Sequence, residues 1–158
     1  MIQNIPLIGS IILAINIIIS FIGFNNVQFF DKYRFEINGT RKGEYYRLLT
    51  SAFLHVNTTH LLFNMVTFYF FVAIVVTALG PIPLLLLYLG SLLTGNLFAL
   101  AFHHNQLNYI AVGASGAVTG VLFSALLLYP GIELMLFFIP GYHPLSSSRK
   151  AGTMNWKI

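Results

Sequence analysis

Leu48 to Ile132, LLTSAFLHVNTTHLLFNMVTFYFFVAIVVTALGPIPLLLLYLGSLLTGNLFALAFHHNQLNYIAVGASGAVTGVLFSALLLYPGI, runs for 85 residues without one Asp, Glu, Lys or Arg. A bilayer crossing takes roughly 20 predominantly apolar residues, so this stretch holds three crossings and their turns. Over all 158 residues, 57% are hydrophobic and 8% charged, where an ordinary soluble domain carries about a quarter charged. Every charged residue lies in Asp31–Arg47 or Glu133–Lys157. The reading is an all-α, polytopic transmembrane helical bundle whose solvent is the lipid bilayer.

Working outward, Ile5–Phe24 is a first span of 20 residues, followed by Leu61–Leu79, Leu84–Phe102, and a fourth from Ile110 or Ala111 to Leu128. Gly80-Pro81-Ile82-Pro83 separates the second and third, because two prolines around one apolar residue break a helix. Residues 25–47 form a loop rich in aromatics (Phe29, Phe30, Tyr33, Phe35, Tyr45, Tyr46), expected at the membrane interface. Within the first span, Ser10, Asn16 and Ser20 are expected on a face turned toward other helices. Met1-Ile2-Gln3-Asn4 offers no basic n-region or cleavage site, so the first span reads as retained rather than as a secretory signal.

Composition narrows the chemistry. There is no cysteine, hence no disulfide, thiolate ligand or cysteine nucleophile. The formal charge is +4, but eight cations split between a loop and a tail make no stripe for nucleic acid. No metal or other cofactor is expected. His55 and His60 would lie about 140° apart on a helix, and His103-His104 lack carboxylate or thiolate company. An ion-coupled pathway is disfavoured by the absence of intramembrane charge.

Two constellations carry possible chemistry. Val112-Gly113-Ala114-Ser115-Gly116-Ala117-Val118-Thr119-Gly120 places a serine at the start of a buried helix, where unpaired N–H groups and the positive dipole end favour an oxyanion. The same stretch contains Gly116 and Gly120, a G-x-x-x-G helix-packing device, and both readings stand. His60 and Asn64, at i and i+4, share one helical face. They serve either as interfacial and interhelical polar groups or as two donors for a tetrahedral oxyanion.

Together these features resemble the rhomboid family of intramembrane serine proteases, from about Glu44 to Pro140. Tyr46-Arg47 with Leu48-Leu49-Thr50-Ser51-Ala52-Phe53-Leu54-His55, His60-Leu61-Leu62-Phe63-Asn64 (H-x-x-x-N), Tyr88-Leu89-Gly90-Ser91, Thr94-Gly95-Asn96, and Gly113-Ala114-Ser115-Gly116 with Gly120 follow the family's order. The resemblance implies Ser115 as nucleophile, with His60, Asn64 and the backbone N–H of Ser115 as oxyanion donors. Gly113 and Gly116 would allow close backbone approach, and Arg47 and His55 would organise the first loop. It implies cleavage of transmembrane protein substrates near the membrane boundary, without metal or organic cofactor. A non-catalytic rhomboid-like protein that binds transmembrane helices is the alternative.

The family's base comes from a sixth-span histidine in an H-x-x-G-x-x-x-G pattern, and none is found here. His143 alone follows Ser115 and does not take that role, so the general base is unassigned. The expectation is about four spans of a six-span core: residues 1–140 as an incomplete rhomboid-like domain and 141–158 as an irregular tail, with truncation or a frame change near Gly141 as the cause. Five cations in the first loop against three in the tail favour a cytoplasmic loop, whereas the resemblance places it outside. A bacterial plasma or inner membrane is the expected location. Substrate and oligomeric state are not encoded in any motif.

Overall fold

The computed structural model describes residues 5–130. In chain order these form α1 (Leu7–Asn25), α2 (Val27–Tyr33), β1 (Phe35–Glu36), α3 (Ile37–Arg41), α4 (Arg47–Thr50), a 3-10 turn (Ser51–Phe53), α5 (Thr58–Leu79), α6 (Pro81–Phe102), β2 (Ile110–Ala111) and α7 (Ser115–Leu128). Three of them, α1, α5 and α6, are long and apolar enough to cross a bilayer. Exposed Leu7, Leu62, Leu86, Phe98 and Leu127 cover the outer surface of the bundle, a surface suited to lipid and not to water. The architecture is the expected transmembrane helical bundle.

Its boundaries differ from the expected ones for local reasons. Asn57 accepts a hydrogen bond from the His60 N–H at 2.8 Å, so α5 starts at Thr58 instead of Leu61. A side-chain oxygen there satisfies one of the four orphan donors at a helix start. Gly80 alone, at φ +92°, makes the turn between α5 and α6. Pro81 and Pro83 then sit inside the first turn of α6, where a missing N–H breaks no intrahelical bond. The fourth apolar segment is not helical from Ile110: Ile110–Ala111 is a strand, and the helix begins at Ser115. With 14 residues, α7 is about 21 Å long. Glu133–Ile139, the tail and His143 lie outside the described residues.

The core forms where α7 packs on α5 and α6. Ala117, Val118, Val121 and Ala125 meet Met65, Phe68, Val72, Leu84, Tyr88 and Leu92. The G-x-x-x-G face of α7 lies along α6 at the edge of this core: exposed Gly116 lies against Ser91 and Leu92, and half-buried Gly120 against Ser91. A Cβ at Gly120 would come within 2.6 Å of Ser91 Cβ, closer than side chains pack. On α1 the inward stripe is Gly9, Ile12, Asn16, Ser20 and Gly23, spaced by three or four as one helical face requires. Ser10, expected inward with Asn16 and Ser20, points out. Asn16 Nδ2 donates to Ile12 O at 2.9 Å and to the Tyr88 hydroxyl at 3.1 Å, joining α1 to α6 deep in the bundle.

The first loop is folded rather than merely interfacial, with Phe35 fully buried while Tyr45 and Tyr46 stay exposed. Arg47, 7% exposed, donates Nε to the Glu44 carboxylate and Nη1 to the carbonyls of Asp31 and Arg34, each at 2.8 Å. One guanidinium thereby joins α2, the loop and α4, using the five-donor fork of arginine. Antiparallel pairing of Phe35 with Ala111 and Glu36 with Ile110 clips the first loop to the segment leading into Ser115.

Candidate active site

The site is built where the starts of α5 and α7 meet. Gly113 adopts φ +123°, a region that only glycine enters at little cost. A second constraint acts on the same residue: a Cβ there would lie 2.6 Å from Cε1 and 3.0 Å from Nε2 of His60. The His60 ring therefore lies against the Gly113 backbone, two residues before Ser115. The Gly113 N–H is held by Ser51 O at 3.0 Å, and that of Ala114 by His55 Nε2 at 3.5 Å.

Ser115 is the first residue of α7 and is exposed. Ala114 precedes it with φ −72° and ψ 2° and supplies no capping hydrogen bond. Intrahelical bonding begins with Val118 N–H to Ala114 O at 2.8 Å. The N–H groups of Ser115, Gly116 and Ala117 thus lie at an uncapped helix start, beside the positive end of its dipole. A cavity of about 160 Å³ opens beside Ser115, lined also by Ala52, Gly95, Asn96, Gly113 and Gly116. Given about 30 Å³ per water, this is room for on the order of five waters.

Asn64 is buried, one turn beyond His60, and donates Nδ2 to His60 O at 2.9 Å. Its amide carries a second N–H. Nδ1 of His60 is buried with no hydrogen-bond partner among the described residues, an uncommon arrangement for a buried polar atom.

His55 stands behind this group. It lies before α5 and not on it, so the 140° separation from His60 does not apply. The two rings meet edge to face with centroids 5.1 Å apart. His55 is fully buried, with Nδ1 2.7 Å from Ser20 Oγ. Burial first, and the neighbouring His60 second, lower its pKa from 6.5 to about 4. The ring is neutral near pH 7 and both its nitrogens are engaged, which removes it as a base for Ser115.

The structure sets His60 against Gly113 and His55 against Ala114, the two residues before Ser115, keeps Asn64 bonded to His60 O on α5, and puts Arg47 in the first loop. Sequence reasoning missed the parts played by Asn57, Ser51 and Asn96. Asn57 bore a readable signal, an N-cap residue just before an apolar helix. Asn96, quoted above within Thr94-Gly95-Asn96, donates Nδ2 to Leu48 O at 2.7 Å and Ser51 Oγ at 3.1 Å, partners too distant in sequence to be read from it. Among the described residues no group of three or more His, Asp and Glu is placed to hold a metal.

Fold and site define an integral, multi-pass helical membrane protein with a serine at the uncapped start of an internal helix. Residues 42–146 match the Rhomboid domain, and the chain belongs to the rhomboid family. It is similar to the RHOMBOID-like protein 12, mitochondrial, of Arabidopsis thaliana, at 30% identity over 84% of this chain and 44% of that protein. It is also similar to the putative rhomboid protease YdcA of Bacillus subtilis, at 40% identity over 52% of this chain and 41% of that protein. With the rhomboid protease GluP of the same bacterium it shares 34% identity over 62% of this chain and 18% of that protein. The chain spans less than half the length of these relatives.

Proposed function

We propose that this chain carries the nucleophile and oxyanion site of an intramembrane serine endopeptidase acting on transmembrane protein substrates near the membrane boundary. The observation that carries the reading is the His60 ring lying on Gly113, two residues ahead of Ser115 at an uncapped helix start. In this reading Ser115 Oγ attacks the scissile carbonyl, and the oxygen that becomes negative is received by the Ser115 N–H, His60 and Asn64. Preorganised donors of this kind stabilise the transition state without reorganising. In this reading the His60 ring and the second Asn64 N–H supply the hydrogen-bonding capacity. Gly113 and Gly116 allow the backbone approach, Arg47 holds the first loop, and the cavity beside Ser115 stores water for hydrolysis.

Ser115 needs a base, and none of the described residues is assigned that role. The alternative reading is a rhomboid-like protein that binds transmembrane helices without cleaving them. One experiment separates the two. A fluorophosphonate incubated with the full-length protein in bilayers is expected to attach to Ser115, and Ser115→Ala to abolish attachment. Label that persists in the variant removes Ser115 from the mechanism, and an unreactive wild type favours the binding protein. A bacterial plasma membrane is the proposed location; the relatives include Bacillus proteins as well as a mitochondrial one.

A further inference from the structure

α1 gives no residue to the chemistry proposed above, yet its Ser20 is joined to the turn before Ser115 by one buried side chain. Ser20 Oγ carries a single hydrogen, and it donates this to Phe53 O at 3.0 Å. In its 2.7 Å contact with His55 Nδ1, Oγ is therefore the acceptor and Nδ1 carries the proton. A neutral imidazole holds one N–H, so its Nε2 is left with a lone pair. That lone pair faces the Ala114 N–H at 3.5 Å. Ser20, His55 and Ala114 are all fully buried, leaving little access for water to substitute for a lost partner. The other tautomer would set two donors against each other at Ala114. It would also make Ser20 choose between Phe53 and the ring.

We propose that Ser20 is a positioning residue for the Ser115 site: it holds His55 in the Nδ1–H tautomer, and His55 in turn fixes the Ala114 N–H and the turn that starts α7. Two donors preceding Ser115 are then occupied, Gly113 by Ser51 O and Ala114 by His55, which leaves the Ser115 N–H as the first one open to a ligand. The His55 ring, edge to face with His60, also limits where the His60 ring can turn. First-span residues at this position would matter through the imidazole and not through substrate contact. The inference rests on the reading of Ser115 as nucleophile only for its consequence, not for its geometry.

The test uses the full chain, uniformly 15N-labelled, in bicelles, the His55 ring signals being those lost in His55→Gln. Wild type is expected to show a protonated Nδ1 and a bare Nε2 at His55, with a slowly exchanging Ala114 amide. Ser20→Ala is expected to mix the tautomers and speed Ala114 exchange about tenfold, the scale of one lost hydrogen bond, while amides within α5 keep their protection. Ser20→Thr, which retains a hydroxyl, is expected to restore both signals. Should Ser20→Ala not fold, Ser20→Cys, of similar size but a weak acceptor, gives the same measurement. A single unchanged tautomer with equal Ala114 protection in the variant overturns the proposal, as does a wild-type His55 protonated on Nε2. Fluorophosphonate labelling of wild-type Ser115 decides the protease reading separately. A tautomer shift in an unlabelled protein would uphold Ser20 and sink that reading.

Discussion

Two helix starts lie side by side in this bundle and are finished in opposite ways. At α5, Asn57 has an extended backbone (φ −161°, ψ 171°) and its side chain takes the His60 N–H. At α7, Ala114 has a turned backbone (φ −72°, ψ 2°) and a side chain with nothing to offer. A cap such as Asn57 is worth typically about 1 kcal/mol, so the second start forgoes stability that the first one takes. The difference separates a helix end whose backbone is tied down by a side chain from one whose first N–H groups have no side-chain partner. The capped start fixes His60, and the open one presents Ser115.

The largest effect is expected at the open start. Ser115→Ala should eliminate fluorophosphonate labelling while leaving thermal unfolding unchanged within about 0.5 kcal/mol, the range of an ordinary exposed substitution. A large loss of stability would mean that Ser115 is structural and the comparison is mistaken. Next comes Gly113→Ala, which meets both a positive φ and the His60 ring. Destabilisation of about 1–3 kcal/mol is expected, with labelling lost even where the protein folds. Retained labelling would show that the ring does not need that backbone surface.

A third effect appears with pH. His55 has a folded-state pKa near 4 against 6.5 in the unfolded chain, so the unfolded state binds more protons between those values. Its contribution to stability is complete above about pH 6.5 and is lost as pH falls toward about 4. Unfolding followed across that window should show His55→Gln with a flatter pH dependence than wild type; an identical slope would mean that His55 is not the titrating group. The smallest effect belongs to the capped start. Asn57→Ala should cost about 1 kcal/mol and slow labelling only mildly, by loosening His60. If it abolished labelling, the two starts would be one functional unit and not a support beside a site.

Much of this was visible in local sequence. The charge-free stretch announces the membrane, and the 3.6-residue repeat puts His60 and Asn64 on one face of a helix in any surroundings. The serine among glycines likewise marks a helix start. Boundaries were harder: the apolar run at Ile110 looks helical by composition, but its backbone pairs with Phe35–Glu36 instead. Only the folded first loop can supply that edge. The His55–His60 pair was misjudged because both were set on one helix, when His55 precedes it.

What the sequence determined by itself is whatever depends on neighbours a few residues away: solvent preference, helical faces, caps and the glycine that a positive φ demands. The tertiary structure alone decided that Ser20 meets His55, that Asn96 reaches Leu48, and that Gly120 fits against Ser91. Such contacts join residues about 30 to 50 positions apart, and no periodicity along the chain encodes them. They are selected by how the helices pack, because a buried polar group must find its partner wherever the fold puts one.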